Sequence, residues 1–252
     1  MKMEERRKKI VEMVNREGNV SFSRLKAQFG PVSEMTLRRD LEYLDKAGSL
    51  IRVHGGAKSV DVIIGTDDLL FKRSVRNMAA KEIIARKATE LLRVNTAVYL
   101  DSGSTTTMLA GLIPDERFMI FTSGLSCAQE LLHLTQAQIH VVGGRVNCAS
   151  QSTCSSKSLG YLDNINFQTA FLGVTGFTLE HGFTCGSEDE CELKRAVLRN
   201  TDVVVALMDS TKVGVDSTFT YAMPEEINYV VTDGEMDRKT RQLLESAGVN
   251  VI

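Results

Sequence analysis

The residues best suited to chemistry form the run DSGSTTT at 101–107, between the strand-like TAVYLD of 96–101 and a helical stretch containing Met108, Leu109 and Leu112. Gly103 lets the backbone approach a ligand closely, while Ser104, Thr105 and Thr106 offer hydroxyls and amides at a helix N-terminus, a favourable seat for a phosphate. The GxxxxGK[ST] pattern of a P-loop is missing, so nucleotide hydrolysis has no support. The plainer reading of this run alone is a Ser/Thr helix cap after a tight turn. Four more short polar segments follow strand-like runs: Thr122-Ser123-Gly124, Gly143-Gly144-Arg145, GVTG at 173–176 and DSTK from Asp209 to Lys212. Singly these are ordinary turn chemistry. Jointly they favour a pocket, in which Lys194 and Arg195, on the helix after GSEDECEL, together with Lys212 can neutralise an anion, Lys212 being favoured over Arg195; the alternative for the two helix residues is a solvated partner of Glu190 and its neighbours.

Such loops need a scaffold, and the chain from Lys81 onward supplies the pattern for one. Ile83, Ile84, Lys87, Ala88, Leu91 and Leu92 describe an amphipathic helix. After it, the strand-like TAVYLD, FMIFT, QIHVV, FQTAFLG, VVVALMD, NYVVTD and VNVI alternate with helix-like stretches at 125–134, 187–199 and 238–247. That alternation predicts an α/β domain with an open, mostly parallel sheet of six or seven strands covered by helices. Ligands bind such sheets beyond the carboxyl ends of the strands, which is where the polar segments fall.

The first sixty residues follow another pattern. Ile10, Val11 and Val14 mark one helix; Ser21 caps a second carrying Phe22, Leu25 and Phe29 on one face, which Gly30 ends. Ser33 caps a third, with Val32 positioned to staple onto Leu37. Leu37, Leu41 and Leu44 must face the core, leaving Glu34, Met35, Arg38, Arg39 and Glu42 on other faces. Leu50, Ile51 and Val53, with Gly55 and Gly56 behind them, predict a short β-hairpin wing that carries Arg52, His54 and Lys58 toward a nucleic-acid backbone or minor groove. A helix entering the DNA major groove reads base edges from its first turns, while its arginines and amide end hold phosphates. The bland alternative is a small helical bundle binding a protein.

Charge divides the chain in the same place. Lys and Arg number 13 against 8 acidic residues up to residue 60, whereas the remainder carries 17 basic and 24 acidic residues. A basic head joined to an acidic body suits a polyanion partner. With 43% hydrophobic and 25% charged residues the chain is of ordinary globular composition. No stretch reaches the about 18 apolar residues of a membrane span, and the charged start lacks a signal-peptide core, so a soluble cytoplasmic protein is expected. Five cysteines without a CxxC pair signal neither a disulfide framework nor a zinc site. Most are expected to be small packing residues, with a redox pair of Cys185 and Cys191 as the alternative.

The segments VSFSRLKAQF and VSEMTLRRDLEYLDKAGSLIRVHGGA resemble the DNA-binding domain of DeoR-family bacterial regulators over residues 4–58. One departure is Pro31, an extra residue in the turn FGPVSEMT, expected to be absorbed there because proline is tolerated before a helix begins. From Phe71 onward, LDSGSTT, GGRV, AFLGVTGF, HGFTCGSEDECELK and DSTKVG resemble the sensor domain of the same family, which is similar to the ribose-5-phosphate isomerase and CoA-transferase-like fold. The resemblance implies that Ser33, Glu34, Met35, Thr36, Arg38 and Arg39 lie on or beside the recognition helix. It also implies that Asp101, Ser102, Gly103, Ser104, Thr105 and Thr106 cradle an effector phosphate, with Lys194, Asp209 and Lys212 in the same cleft. The GVTG loop lacks the acidic residues those isomerases use for proton transfer, so binding without turnover is expected.

The expected organisation is a winged helix-turn-helix at 1–58, a connection at 59–75 and an effector-sensing α/β domain at 76–252. Its expected work is regulation, as a repressor of a carbohydrate-utilisation operon that binds double-stranded operator DNA as a homo-oligomer and responds to a phosphorylated sugar or related anion. No metal, cofactor or membrane partner is expected. Two other classes remain open on sequence alone: a sugar-phosphate isomerase with an accessory nucleic-acid head, and a protein-binding scaffold.

Overall fold

The computed structural model describes residues 3–17, 19–53, 55–59 and 70–252. They divide into two compact units, separated between residues 64 and 65.

The first unit contains α1 (Met3–Glu17), β1 (Asn19–Ser21), α2 (Phe22–Gln28), α3 (Glu34–Lys46), β2 (Ile51–Val53) and β3 (Gly56–Lys58). Ile10 and Val14 of α1, Leu25 of α2, Leu37, Leu41 and Leu44 of α3, and Leu50 and Ala57 of the wing close one core. Both expected caps form: the Ser21 hydroxyl accepts the Arg24 amide and the Ser33 hydroxyl the Thr36 amide, each at 3.2 Å. Pro31 lies exposed in the turn between α2 and α3, which the Lys26 ammonium closes by donating to the carbonyls of Gly30 and Val32. Antiparallel pairing of β3 with both β2 and β1 gives the wing a third strand that the sequence did not suggest, because Gly18 and Asn19 read simply as a helix stop.

The second unit begins with α4 (Leu70–Ser74), inside the stretch read from sequence as a connection, followed by α5 (Met78–Thr89), β4 (Ala97–Leu100) and α6 (Ser104–Ala110). Next come β5 (Met119–Thr122), α7 (Leu125–Glu130), β6 (Gln138–Val141), β7 (Arg145–Asn147), β8 (Ser152–Cys154) and α8 (Ser156–Leu162). The chain continues through β9 (Phe167–Gly173), β10 (Gly176–Thr178), β11 (Gly182–Cys185), α9 (Glu188–Arg199) and β12 (Thr201–Leu207). It ends with β13 (Phe219–Ala222), β14 (Tyr229–Val231), α10 (Arg238–Ser246) and β15 (Asn250–Val251).

Seven of these strands form one sheet in the order β15-β14-β12-β9-β4-β5-β6, and every neighbouring pair is parallel. This is the α/β architecture expected from the alternating runs. Successive residues of a strand face opposite sides of a sheet, and both sides are apolar here, as helices on both faces require. Leu100, Phe171, Val205 and Leu207 pack with Ile84 and Ala88 of α5 and Leu109 of α6. Tyr99, Ala170, Leu172 and Ala206 pack with Leu162 of α8, Leu193 and Val197 of α9 and Leu244 of α10. The sheet grows outward from β4 through β5 to β6, then restarts on the other side of β4 with β9, β12, β14 and β15. Strand order therefore reverses between β4 and β9, the position at which open α/β sheets leave a crevice beyond their carboxyl ends.

A separate antiparallel sheet, β10-β11-β13, and the hairpin β7-β8 complete the unit. Among the described residues no helix is long and apolar enough to cross a membrane.

Candidate functional site

In the first unit, α3 presents one face to the core and the other outward. Leu37, Leu41 and Leu44 are buried, while Ser33, Glu34, Arg38 and Arg39 are exposed, Met35 is 62% exposed and Thr36 is half-buried. The Arg38 guanidinium lies 4.4 Å from the Phe22 ring centre, a cation–π contact that holds it on the α2 side of the helix. Asp40, buried on the same helix, accepts from Arg6 at 2.6 Å and Arg7 at 2.8 Å, so α3 is fastened to α1 by charge as well as by packing. Arg52 is exposed on β2, and its amide donates to the Asp45 carboxylate. His54, named with the wing, lies outside the described residues. The result is an exposed cationic helix face beside a wing, the arrangement with which winged heads enter a groove.

In the second unit a cleft opens at the switch point between β4 and β9. It is lined by Arg73, Arg76, Asn77 and Lys81 of the α4–α5 segment, Ser102 to Thr106 after β4, and Gly173, Val174 and Thr175 at the end of β9. Glu190 and Lys194 of α9, Leu207 of β12, Asp209 and Lys212 complete the lining. Gly103 has φ +146°, a conformation side-chain-bearing residues rarely adopt, and it ends the strand so that α6 starts at the rim. The first α6 bond runs from the Thr107 amide to the Gly103 carbonyl, which leaves the Ser104, Thr105 and Thr106 amides ahead of the helical ladder.

Lys194 sits at the floor, only 3% exposed. Its ammonium donates to the Asp101 carboxylate and, at 2.9 Å, to the Gly173 carbonyl; Asp101 also accepts the Gly173 amide at 2.9 Å. Burial alone would lower the Lys194 pKa, but Asp101, followed by Cys185 and Glu190, outweighs it and the pKa is raised. Asp101 thus positions the lysine and ties β4 to β9 from behind the cleft. Asp209 caps a short 3-10 turn by accepting the Thr211 amide at 3.1 Å, and the Asn77 amide group donates to it at 3.3 Å.

Of the residues singled out in the sequence, Ser102, Gly103, Ser104, Thr105, Thr106, Lys194, Asp209 and Lys212 come together at this cleft. Thr106 is wholly buried, and its hydroxyl donates to the Gly103 carbonyl at 3.0 Å, so its side chain shapes the loop. Thr122 and Ser123 are not brought to the cleft: both are fully buried, the Thr122 hydroxyl accepting the Gly124 amide and the Ser123 hydroxyl the Tyr99 phenol. Gly143 and Gly144 also lie elsewhere, at the start of the β7-β8 hairpin. A Cβ on Gly144 (φ +145°) would stand 2.5 Å from the Cys154 backbone, so that glycine serves strand packing. Arg195 likewise points away, donating to the Thr220 carbonyl.

Sequence reasoning missed Arg73, Arg76 and Lys81. The signal was present for Lys81, which shares the buried stripe of α5 with Ile84, Ala85 and Ala88, an improbable place for a lysine that merely faces water. It is 5% exposed and donates to the carbonyls of Arg73 and Arg76. Burial, with the repulsion of Lys212, Arg76 and Arg73 added, pulls its pKa from 10.5 down to about 8 against the attraction of Asp209.

A lysine depressed in this way costs stability while it stays charged. The cost is present below pH 8 and is relieved as the pH rises from about 8 toward 10.5, where the unfolded chain still holds the proton. An anion bound in the cleft would offset that cost at neutral pH, and its affinity should then fall above pH 8, by about tenfold per pH unit at the steepest. Sulfate, whose charge is constant in this range, is the probe. Calorimetric titration from pH 7 to 9.5 should show the decline in the wild type and a flat, weaker profile in Lys81→Met; equal slopes in both would remove Lys81 from the anion site.

Comparison with known proteins places both units. Residues 6–62 match the DeoR-like helix-turn-helix domain, and residues 76–234 match the DeoR C terminal sensor domain. A putative aga operon transcriptional repressor of Escherichia coli O157:H7 is 31% identical, covering 98% of this chain and 93% of its own. A lactose phosphotransferase system repressor of Streptococcus mutans is 27% identical over 96% of this chain and 97% of its own. Among solved structures, a ribose 5-phosphate isomerase A from Methanocaldococcus jannaschii is similar over 53% of each chain, with 16% identity and a TM-score of 0.38.

Proposed function

The chain belongs to the DeoR family of helix-turn-helix transcriptional regulators, and from that premise we propose that it represses a carbohydrate-utilisation operon under the control of a phosphorylated sugar or similar small anion. The observation that carries the effector half is the convergence of Arg73, Arg76, Lys81, Lys194 and Lys212 on the one crevice where the sheet reverses. These five cations come from three separate segments, and for Lys81, whose pKa burial and its cationic neighbours pull down to about 8, a bound anion would offset the cost of staying charged. Glu190 and Asp209 line the cleft, but the β9 loop itself offers Val174 and Thr175 rather than a carboxylate, and the curated relatives are regulators. Binding that shifts a conformational equilibrium, without turnover, is the work that remains.

The relatives supply the pathway class: one is named for an aga operon, the other for a lactose phosphotransferase system, and both are called repressors. In this reading Ser33, Glu34, Met35, Thr36, Arg38, Arg39, Arg52 and His54 contact operator DNA in the cytoplasm. Helix-turn-helix proteins read pseudo-palindromes as symmetric dimers, so a homo-oligomer with half-sites about one helical turn apart completes the proposal.

Thermal denaturation of the full chain against a panel of phosphorylated sugars and their unphosphorylated counterparts tests the effector. A ligand at 100 times its Kd stabilises by about 2.7 kcal/mol, which for a domain of this size is a rise of roughly 5–10 °C. Only phosphorylated members should give it. A panel without any shift, or one in which free sugars act equally well, would overturn the anion reading.

A further inference from the structure

Phe22 departs from the apolar stripe to which its spacing assigns it. Leu25 and Phe29, which share that stripe, are buried in the core of the head, whereas Phe22 is half-buried and lies with its ring under the guanidinium of Arg38, 4.4 Å away. The Phe22 amide donates to the Gly55 carbonyl at 2.7 Å, so the start of α2 is tied to the turn of the wing. Packing there is close: a Cβ on Gly56 would stand 2.2 Å from the Val20 carbonyl oxygen.

Phe22, Arg38, Leu41, Arg52, Gly55 and Gly56 line a concavity of about 220 Å³ at the seam between α3 and the wing. Leu41 and Gly56 are buried, while Arg38, Arg52 and Gly55 are exposed, so the two cations stand at its mouth. Other arginines of the head are matched with carboxylates: Arg6 and Arg7 with Asp40 at 2.6 and 2.8 Å, and Arg24 with Glu17 at 3.4 Å. Glu42, one turn beyond Arg38, is paired with Lys46 at 2.9 Å. Among the described residues, neither Arg38 nor Arg52 takes part in an ion pair.

We propose that Phe22 is a positioning residue for DNA binding: its ring holds Arg38 at the concavity, where Arg38 and Arg52 together grip one backbone phosphate, and base reading falls to Arg39. The inference rests on the proposed contact of α3 and the wing with DNA and is independent of any effector.

A guanidinium is planar and carries a fork of N–H donors, so it can stack on a ring with one face while its edge donates to a phosphate. An arginine already held in place also loses less rotamer freedom when DNA arrives. Two guanidinium groups at one concavity repel each other, and a shared phosphate offsets that repulsion in a way an uncharged base edge does not. Over Phe22, Arg38 is turned toward α2 and the wing, and reaching a base edge would mean leaving the ring. Arg39, about 100° further round the helix, makes no such contact among the described residues and keeps the reach that base reading needs. The two duties differ in kind: a phosphate contact is blind to sequence and releases counterions, whereas a base contact discriminates among sequences.

The test uses the full chain and two probes, a duplex of unrelated sequence and a fragment selected by the protein itself, titrated by fluorescence anisotropy at several salt concentrations. Arg38→Gln should weaken both duplexes by the same factor and make the slope of log affinity against log salt shallower by about one. Arg39→Gln should weaken the selected duplex alone, by about 5- to 150-fold, with the slope kept. Phe22→Leu, which keeps the apolar bulk and loses the π face, should weaken both duplexes about two- to fivefold, and Phe22→Tyr, which keeps the face, should bind as the wild type does. Added to Arg38→Gln, Phe22→Leu should have no further effect. An equal loss in both backgrounds would reduce Phe22 to a structural role, and wild-type affinity in Phe22→Leu would remove it from DNA binding; either result overturns the positioning. A loss confined to the selected duplex in Arg38→Gln, with the salt slope unchanged, would make Arg38 a base reader and overturn the assignment, whether or not Phe22→Leu folds. Binding of neither duplex by the wild type would instead refute the contact of the head with DNA, and this inference with it.

Discussion

Replacing Arg38 and Arg39 together with Ala should reduce operator affinity by at least about a hundredfold while leaving the stability and the anion affinity of the protein unchanged. Both side chains are exposed on α3, on the face turned away from Leu37, Leu41 and Leu44, so neither supports the core. A bidentate arginine–guanine contact is worth about 1–3 kcal/mol, and two lost contacts reach that hundredfold even toward the low end of the range. Ala is also the better helix former, and among the described residues the Arg38 contact with Phe22 is what the fold forfeits. Gel-shift titrations at several salt concentrations separate the two possible duties. If either arginine holds a phosphate, the slope of log affinity against log salt should become shallower by about one per contact, and affinity for unrelated DNA should fall too. If both read bases, specific and unrelated DNA should become alike. Wild-type affinity in the double variant would remove α3 from the interface.

The second large effect lies in the cleft. Asp101→Ala leaves the Lys194 ammonium 3% exposed, still donating to the Gly173 carbonyl and facing the Tyr221 ring but without its paired carboxylate, and it also frees the Gly173 amide. Breaking a buried pair by removing one member costs about 3–5 kcal/mol, which for a domain of this size lowers Tm by roughly 6–20 °C. Asp101→Asn keeps an acceptor for the Gly173 amide and should lose less. The double variant Asp101→Ala, Lys194→Met removes the unpaired charge and should recover much of the loss, since an ion pair replaced by apolar groups is often near neutral. Thermal melts of the three variants check the order. An unchanged Tm in Asp101→Ala would mean that the pair does not hold β4 to β9.

How much of this was legible in the sequence depends on the kind of information each feature carries. The seven strands of the large sheet stood out because each is a short apolar run bounded by turn residues. The caps at Ser21 and Ser33 were equally plain, since capping is local. Strand order is not local. Thr122-Ser123 and Gly143-Gly144 follow strands just as Asp101 and Gly173 do, yet they leave β5 and β6, outside the reversal between β4 and β9. Their hydroxyls and glycines satisfy buried backbone and allow close strand approach, which spacing alone does not distinguish from ligand binding. The small sheet β10-β11-β13 escaped notice because strands of three or four residues show too little alternation, and β13 joins from some 34 residues downstream of β11. Lys81 was hidden by the habit of assigning lysines to solvent; its place on the apolar stripe of α5 was the clue.

In the proposed regulator, occupancy of the cleft changes the grip of the head on DNA. The direct measurement is operator affinity by fluorescence anisotropy, on a DNA fragment selected by the protein itself, with and without a phosphorylated sugar that raises Tm. Coupling free energies of this kind are about 1–3 kcal/mol, so the saturating ligand should weaken operator binding about 5- to 150-fold, and operator DNA should weaken ligand binding by the same factor. Operator affinity that stays constant while the ligand saturates the cleft would contradict it.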